Sequence, residues 1–583
     1  MSFLKGFEIK SVQGKKTTTW INKDIAPLPA ARRTWDVLTF LGFWNTGNFT
    51  ASSYSGGSSL VSLGLSIPQT VGILMVAKVF VVISAVMNGW VGARFHIGFT
   101  VTQRQVFGVY GSGLGIAMRI ILGVVWYGSG GWMGGLCLGT LLSTIFPTYQ
   151  NMKNTFPESV NMTTKDCVSY LLYQLICMLL LAFKPEKIYK PVTVVAFYNF
   201  LTMIAIVSWA RTKAGSIGPL VHTTTTASGS ELGWIWMYGL TSTYGGIASG
   251  IANQPDFARF ARKETDPILG NFLGLWFFSI LVPVIGIITT SCLLKVYGAE
   301  YWNPIYVVQL WLETDYGPKS RAAAFFASLG FTFAQMVNNV VENGIPGGMD
   351  MAGVCPKYIN IFRGSIIISL LSWCVCPWTF YNTSSIFVTV MSSFSVFMVP
   401  LIGVCLCDFW FVRGRKIFLL DLYHGGKDGK YFYTKGCNFR ALAAWTVAFT
   451  LNLPGMIHQI NPDIYVAQGM YDYYRGNLFF GGALSMSLYY LFCRIWPIDG
   501  AGETDESDYF GTFTTEEATR LGIIPFDDIP VAEAELLSEK YPFLANHGLA
   551  SEKGNEFDVN VVELDAPGTL NKLKRWFGKY FET

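Results

Sequence analysis

Residues Gly239 to Phe260 read GLTSTYGGIASGIANQPDFARF, and the first seventeen of them carry no charge. The stretch is long enough to enter a bilayer, yet Gly245, Gly246 and Gly250 sit in it among small polar residues. Lipid offers no hydrogen bonds, so backbone freed by a break there must be satisfied inside protein or by a solute. A broken membrane segment is therefore a candidate binding site. The competing reading is close helix packing through glycines. Gly42 to Gly57, GFWNTGNFTASSYSGG, repeats the pattern near the start of the chain. Asn45, Gly47 and Asn48 there, with Gly245 and Gly246, are the expected break positions.

The rest of the chain has membrane character. Of its 583 residues 51% are hydrophobic and 14% charged, well below the roughly one quarter charged in soluble domains. Apolar runs long enough to cross about 30 Å of hydrocarbon recur throughout. They predict twelve spans, near 35–64, 69–92, 109–145, 166–183, 191–210, 233–253, 268–294, 322–344, 365–380, 385–407, 441–458 and 476–496. The expected class is an all-α polytopic membrane protein embedded in a lipid bilayer.

Residues 1–34 are basic and lack a signal-peptide core, so they read as a cytosolic N-terminal tail. Lys and Arg gather in the loops on that side, above all in 412–440. The transporter domain is expected over 35–497 and a cytosolic C-terminal tail over 498–583. That tail is acidic and flexible at first, and ends in a possible basic amphipathic helix at Thr569 to Glu582. The dispersed net charge of +4 argues against nucleic acid. The cysteines lie mostly in apolar runs without zinc-like spacing, and no metal or cofactor is expected.

The broken spans are the first and the sixth. If spans 1–5 and 6–10 are inverted repeats, the breaks correspond and meet near the membrane midplane, as in an alternating-access carrier. Ionisable residues at that depth need a reason. Lys78, Arg119 and Glu342 stand out. Asn339 and Asn343 are one helical turn apart, and Glu342 shares part of their face. Two amides can grip a heterocycle, and a carboxyl beside them can carry a proton. Glu342 and Lys78 are the candidates for proton coupling. Trp126 stands among glycines, which leaves room for a planar ring on its indole. No HExxH, nucleophile elbow or phosphate loop is present, so an enzyme is not expected.

At these motifs the chain resembles the nucleobase-cation symporters of the first type, in their fungal uracil, allantoin, uridine and thiamine branch. The resemblance rests on GFTVTQRQVFGVYGS (98–112), NQPDFARF (253–260), YWNPI (301–305), GMDMAGVCPKYINIFRG (348–364), CPWTFYNTSSIFVTVMSSF (376–394) and FRALAAW (439–445). It implies a leucine-transporter fold, two inverted five-helix repeats followed by two helices, and uptake of nucleobases or related compounds with a cation. In family terms Trp126 matches the ring-stacking tryptophan, and Asn339 and Asn343 match the span 8 amides.

Three departures matter. Gly130 stands where nucleobase members carry a glutamine. The aromatic of span 6 is replaced near Ile247, with Tyr244 one turn earlier. Val337 and Asn338 replace the hydroxyl residues of the sodium site, which favours a proton. The long motifs look most like the thiamine and nicotinamide riboside branch. The implied function is a plasma-membrane proton symporter of thiamine, nicotinamide riboside or a similar heterocycle. A uracil, uridine or allantoin permease is the alternative within the class, and a non-transporting membrane sensor the one outside it.

Overall fold

The computed structural model describes residues 8–9, 17–182, 185–225, 227–530, 533, 536–537, 539, 541 and 544. The basic helix expected at 569–582 lies outside them. Among the described residues the chain is helical with no strand. The first predicted span is two helices, α1 (Val37–Asn48) and α2 (Ala51–Val61). Then come α3 (Ile67–Phe95), α4 (Ser112–Ile145), α5 (Thr164–Leu180) and α6 (Pro185–Ala214). The sixth span is α7 (Gly229–Ala252) followed by the short α8 (Gln254–Ala258). After it run α9 (Asp266–Tyr297), α10 (Pro318–Val354), α11 (Ile361–Leu371), α12 (Ser384–Val412), α13 (Phe439–Thr450), α14 (Leu453–Ile460) and α15 (Asn477–Ile495).

Seven of the described helices are apolar and long enough to cross a membrane: α3, α4, the Val194–Ala214 part of α6, α9, α10, α12 and α15. Apolar sequence makes them, and local chemistry ends them. The α3 run has mean hydropathy 2.4, starts where Gln69 Oε1 accepts from the Ser66 amide at 3.1 Å, and stops at His96 in the left-handed conformation. The remaining predicted spans are shorter or interrupted helices. α7 packs on α3 and α12, while α4 packs on α5 and α10.

The two composite spans are tied together where they begin and end. The Trp35 amide donates to the Phe260 carbonyl, and the Arg262 amide donates to the Trp35 carbonyl, each at 2.9 Å. Beneath them lies a layer built from both ends of the chain. Asn22 Nδ2 donates to the Pro356 carbonyl at 3.1 Å, and Arg33 pairs with Glu517 at 2.7 Å. Ile21, Tyr423, Tyr431 and Tyr509 share one apolar cluster. The first part of the C-terminal tail, expected to be flexible, is folded here: the Asp508 carboxylate accepts from the amides of Thr512 and Phe513 at 3.0 and 2.7 Å. Sequence acidity suggested solvent, but these carboxylates are spent on backbone amides instead.

Candidate functional site

The interruption in the first span falls at Phe49 and Thr50. Thr50 is extended, at φ −117° and ψ 161°, and caps α2 by accepting from the Ser53 amide at 3.3 Å. The freed Gly47 carbonyl accepts from Thr50 Oγ1 at 2.8 Å and from Ser53 Oγ at 2.7 Å. Hydroxyls thus replace the missing turn. Gly47 and Asn48 line the adjoining cavity. Asn45 lies inside α1, and its Oδ1 accepts from Asn48 Nδ2 at 3.3 Å, so it is a support and not a break.

The sixth span corrects the sequence expectation. α7 runs unbroken through Gly245 and Gly246 and ends at Asn253. A Cβ on Gly245 would lie 2.3 Å from the Met391 carbonyl oxygen, and one on Gly246 would lie 2.8 Å from the Met391 methyl. These glycines let α12 approach, the packing role. The helix stops at Asn253 because Pro255 has no amide to donate to the Ile251 carbonyl, which accepts from Asn88 Nδ2 at 2.7 Å instead.

Between these elements lies a cavity of about 220 Å³, walled by α1, α2, α3, α4, α7, α8, α9, α10 and α12. Trp126, Gly130, Asn343, Glu342 and Lys78 all line it, as do Gly47, Asn48 and Gly246. Tyr244 does not. It is buried in the apolar core, and the α7 residues at the cavity are Ser242, Thr243, Gly246, Ile247, Ser249 and Gly250. The unbroken helix turns Tyr244 away from it.

Span 8 carries the polar wall. Pro346 removes the amide that would bond the Glu342 carbonyl, and residues Asn339–Gly344 form a wide π turn, a feature frequent at functional sites. Asn343 Nδ2 donates to Asn339 Oδ1 at 3.1 Å. Asn339 itself is buried behind Asn343 and is not part of the cavity wall. Gly130 explains the arrangement: a Cβ there would stand 2.8 Å from Asn339 Oδ1. Without a side chain at 130, the span 8 amides pack directly on α4. Trp126 is held by Phe394, ring centroids 5.3 Å apart and tilted 59°.

Glu342 reaches across to the first span. Thr46 Oγ1 lies 2.7 Å from Glu342 Oε1 and also 2.7 Å from the Phe43 carbonyl oxygen. A Cβ on Gly47 would lie 2.5 Å from Glu342 Oε2, so glycine is what admits the carboxyl. One hydroxyl hydrogen faces two acceptors. A protonated Glu342 resolves this, donating to Thr46 Oγ1 while Thr46 donates to Phe43.

The floor, toward the layer that holds Asn22, Arg33 and Asp508, is ionic. Arg119 lines the cavity, and its Nη1 stands 3.6 Å from Asp350 Oδ2; the two residues are 2% and 0% exposed. With its amide oxygen turned to Arg119, Asn253 accepts from Nη2 at 2.8 Å and donates to the Ser249 and Gly250 carbonyls at 2.9 and 3.0 Å. Arg119 therefore joins α4, the end of α7 and α10 in one polar cluster. Asn253 and Asn338 are cavity residues to which the sequence reading gave no binding role. Their signals were present, the Asn253-Gln254-Pro255 helix stop and the Asn338-Asn339 pair at membrane depth.

Comparison with known proteins agrees with this construction. The family described as permease for cytosine/purines, uracil, thiamine, allantoin matches residues 27–481. The chain belongs to that family. It is a permease of the nucleobase and vitamin type, not an enzyme. The thiamine transporter of Saccharomyces cerevisiae is 35% identical over 94% of this chain and 92% of its own length. The nicotinamide riboside transporter 1 of the same yeast is 33% identical over 97% and 95%. Among solved structures, a nucleobase-cation-symport-1 family transporter, Mhp1, in a closed conformation with bromovinylhydantoin bound shares the fold. Its TM-score is 0.63 at 17% identity, covering 86% of this chain and 99% of that one. The leucine-transporter-like fold implied by the motifs is the one observed.

Proposed function

We propose that this permease is a proton-coupled plasma-membrane importer of a small aromatic nitrogen heterocycle, thiamine or nicotinamide riboside before uracil, uridine or allantoin. The observation that carries it is the cavity at the first-span interruption, where Trp126 and Asn343 share a wall system with a carboxyl placed to hold a proton. The similarity to yeast thiamine and nicotinamide riboside transporters supports the substrate class.

In the cycle, a heterocycle stacks on Trp126 and bonds to Asn343, which Asn339 orients. Glu342 takes a proton from outside and, protonated, satisfies Thr46 and so binds α10 to α1. The cluster of Arg119, Asp350 and Asn253 then closes the route to the cytosol. Rocking of the bundle that contains the two composite spans against the rest of the helices then opens that contact, and Glu342 releases its proton inward.

The test is uptake of labelled thiamine, nicotinamide riboside, uridine and uracil into cells lacking their own carriers, at acid and neutral pH, with and without an uncoupler. Saturable, uncoupler-sensitive entry of thiamine or the riboside is expected. In Glu342→Gln, substrate still binds but uncoupler-sensitive accumulation is lost. Accumulation that ignores the uncoupler in the unaltered protein refutes proton coupling, and entry of uracil or uridine alone refutes the favoured substrates.

A further inference from the structure

The part of the cavity walled by α2, α3 and α7 has a construction that the ring contacts do not use. Tyr381 Oη lies 3.2 Å from Ser52 Oγ of α2 and 2.8 Å from Ser129 Oγ of α4, so the two helices meet there at one hydroxyl. Ser129 is one turn from Trp126, and Gly56 is one turn beyond Ser52. A ring on Trp126 therefore has the Gly56 face of α2 beside it. That face is open: a Cβ on Gly56 would meet nothing within 4 Å.

Hydroxyls border the open space, and each has already committed its hydrogen. Ser53 Oγ donates to the Gly47 carbonyl at 2.7 Å, and Ser59 Oγ donates to the Gly56 carbonyl at 2.8 Å. On α7, Thr243 Oγ1 donates to the Gly239 carbonyl at 2.8 Å. Ser53 and Ser59 stand one turn to either side of Gly56, and all four residues line the cavity. A hydroxyl whose hydrogen is held by its own helix presents lone pairs alone to a solute. Lys78 of α3 lines the same cavity and, among the described residues, makes no hydrogen bond or ion pair with the protein. Its nitrogen carries N–H in either protonation state, so it donates whether charged or neutral.

Three acceptors and one donor around an open space fit a substituent that donates several hydrogen bonds and accepts one. On the transport reading above, we infer that this space is a sugar subsite, and that the solute is a heterocycle N-linked to ribose. Its ring stacks on Trp126, its hydroxyls donate to Ser53, Ser59 and Thr243, and a ribose oxygen accepts from Lys78. The ribose of a nucleoside offers three free hydroxyls to the three acceptors. Thiamine, with one hydroxyl, leaves acceptors unpaired once water is excluded, and a free base leaves them all so, which lowers affinity. A site built to bond a hydroxyl discriminates against the analogue that lacks it. The subsite makes no demand on the charge of the ring.

The test sets nucleosides against their bases. Uptake of labelled nicotinamide riboside and nicotinamide, of uridine and uracil, and of thiamine is measured in the unaltered protein, Thr243→Ser, Thr243→Val and Gly56→Leu, with surface protein quantified by a fluorescent tag. At least one nucleoside is expected to half-saturate at a concentration about tenfold below its base, the effect of two or three hydrogen bonds. Thr243→Ser keeps that ratio, Thr243→Val narrows it severalfold, and Gly56→Leu, which fills the space, abolishes it. A packing role for Thr243 predicts the reverse order, because valine keeps the shape and serine keeps the hydroxyl. Equal half-saturation by base and nucleoside in both pairs overturns the inference, as does a nucleoside preference unchanged in both Thr243→Val and Gly56→Leu. Saturable entry of thiamine with no preference for either nucleoside leaves transport standing and removes the sugar subsite. Entry of no compound at all removes both.

Discussion

Phe49–Thr50 in the first span and Gly245–Gly246 in the sixth sit in similar company, among glycines, serines and threonines, yet only the first interrupts its helix. At the first, hydroxyls of Thr50 and Ser53 converge on the Gly47 carbonyl, so that acceptor stays paired where the helix is left. At the second, the turn stays closed and the missing side chains admit the backbone of α12. Small polar residues in a membrane span therefore do two physical jobs. Which one they do depends on whether a partner waits for the backbone or for the space.

The largest effect that tests this contrast is expected at Gly245. In Gly245→Ala the new methyl meets a main-chain carbonyl that cannot swing aside, and overpacking of this kind costs on the order of 3 kcal/mol. Most of the protein is then lost from the cell surface, as read by tag fluorescence and by elution of the detergent-solubilised protein. Gly56→Ala is the control, because a Cβ there meets nothing within 4 Å although Gly56 lines the cavity. Normal surface levels of Gly245→Ala would return the sixth-span glycines to a role in the break.

A smaller and different effect is expected at Gly47. Its added methyl meets the end of the Glu342 side chain, which can swing away, and alanine is better than glycine in a helix by about 1 kcal/mol. Gly47→Ala should therefore reach the surface normally while losing the Thr46 to Glu342 contact. Uptake that falls severalfold at acid pH, with less change in binding of labelled substrate, is the expected result. If Gly47→Ala transports with unchanged pH dependence, the contact does not carry the proton.

The comparison also explains what was legible in sequence. Hydropathy located the spans because the cost of burial in lipid accrues residue by residue. Trp126, Glu342 and Asn343 could be picked out as unusual residues at membrane depth, and Gly130 only through the family resemblance. The position of the second break was not visible as glycine content, because a helix stops where its bonds stop. Pro255 was the relevant signal. Tyr244 was misplaced for the same reason: moving the break to Asn253 keeps α7 in phase and turns that ring into the core. Asn339 was correctly paired with Asn343, but whether an amide faces solute or another amide depends on the side chain opposite, here the absent one of Gly130.

The smallest expected effect asks whether the layer beneath the two composite spans holds them or only covers them. Asp505 joins the tail to the 412–440 loop, accepting from the Leu419 amide and, at 3.2 Å, from the Leu420 amide. Burial pushes its carboxyl up to about 8, with Asp421 and Asp508 adding to the rise and the two amides opposing it. A released tail would titrate near 4. Between these values the docked form holds a proton that the free form has lost, so docking weakens progressively as pH rises from about 4 to about 8 and is level above that. Hydrogen exchange at Leu419 and Leu420 should therefore speed up between pH 6.5 and 8.5 by more than the intrinsic chemistry. Asp505→Asn, which keeps an acceptor oxygen and cannot ionise, should remove the excess. If uptake in Asp505→Asn matches the unaltered protein at both pH values while the exchange difference disappears, the layer is a cover. A change in uptake that follows the exchange would show that the ties between Trp35 and the end of the sixth span are held from below, making the two breaks one mechanical unit.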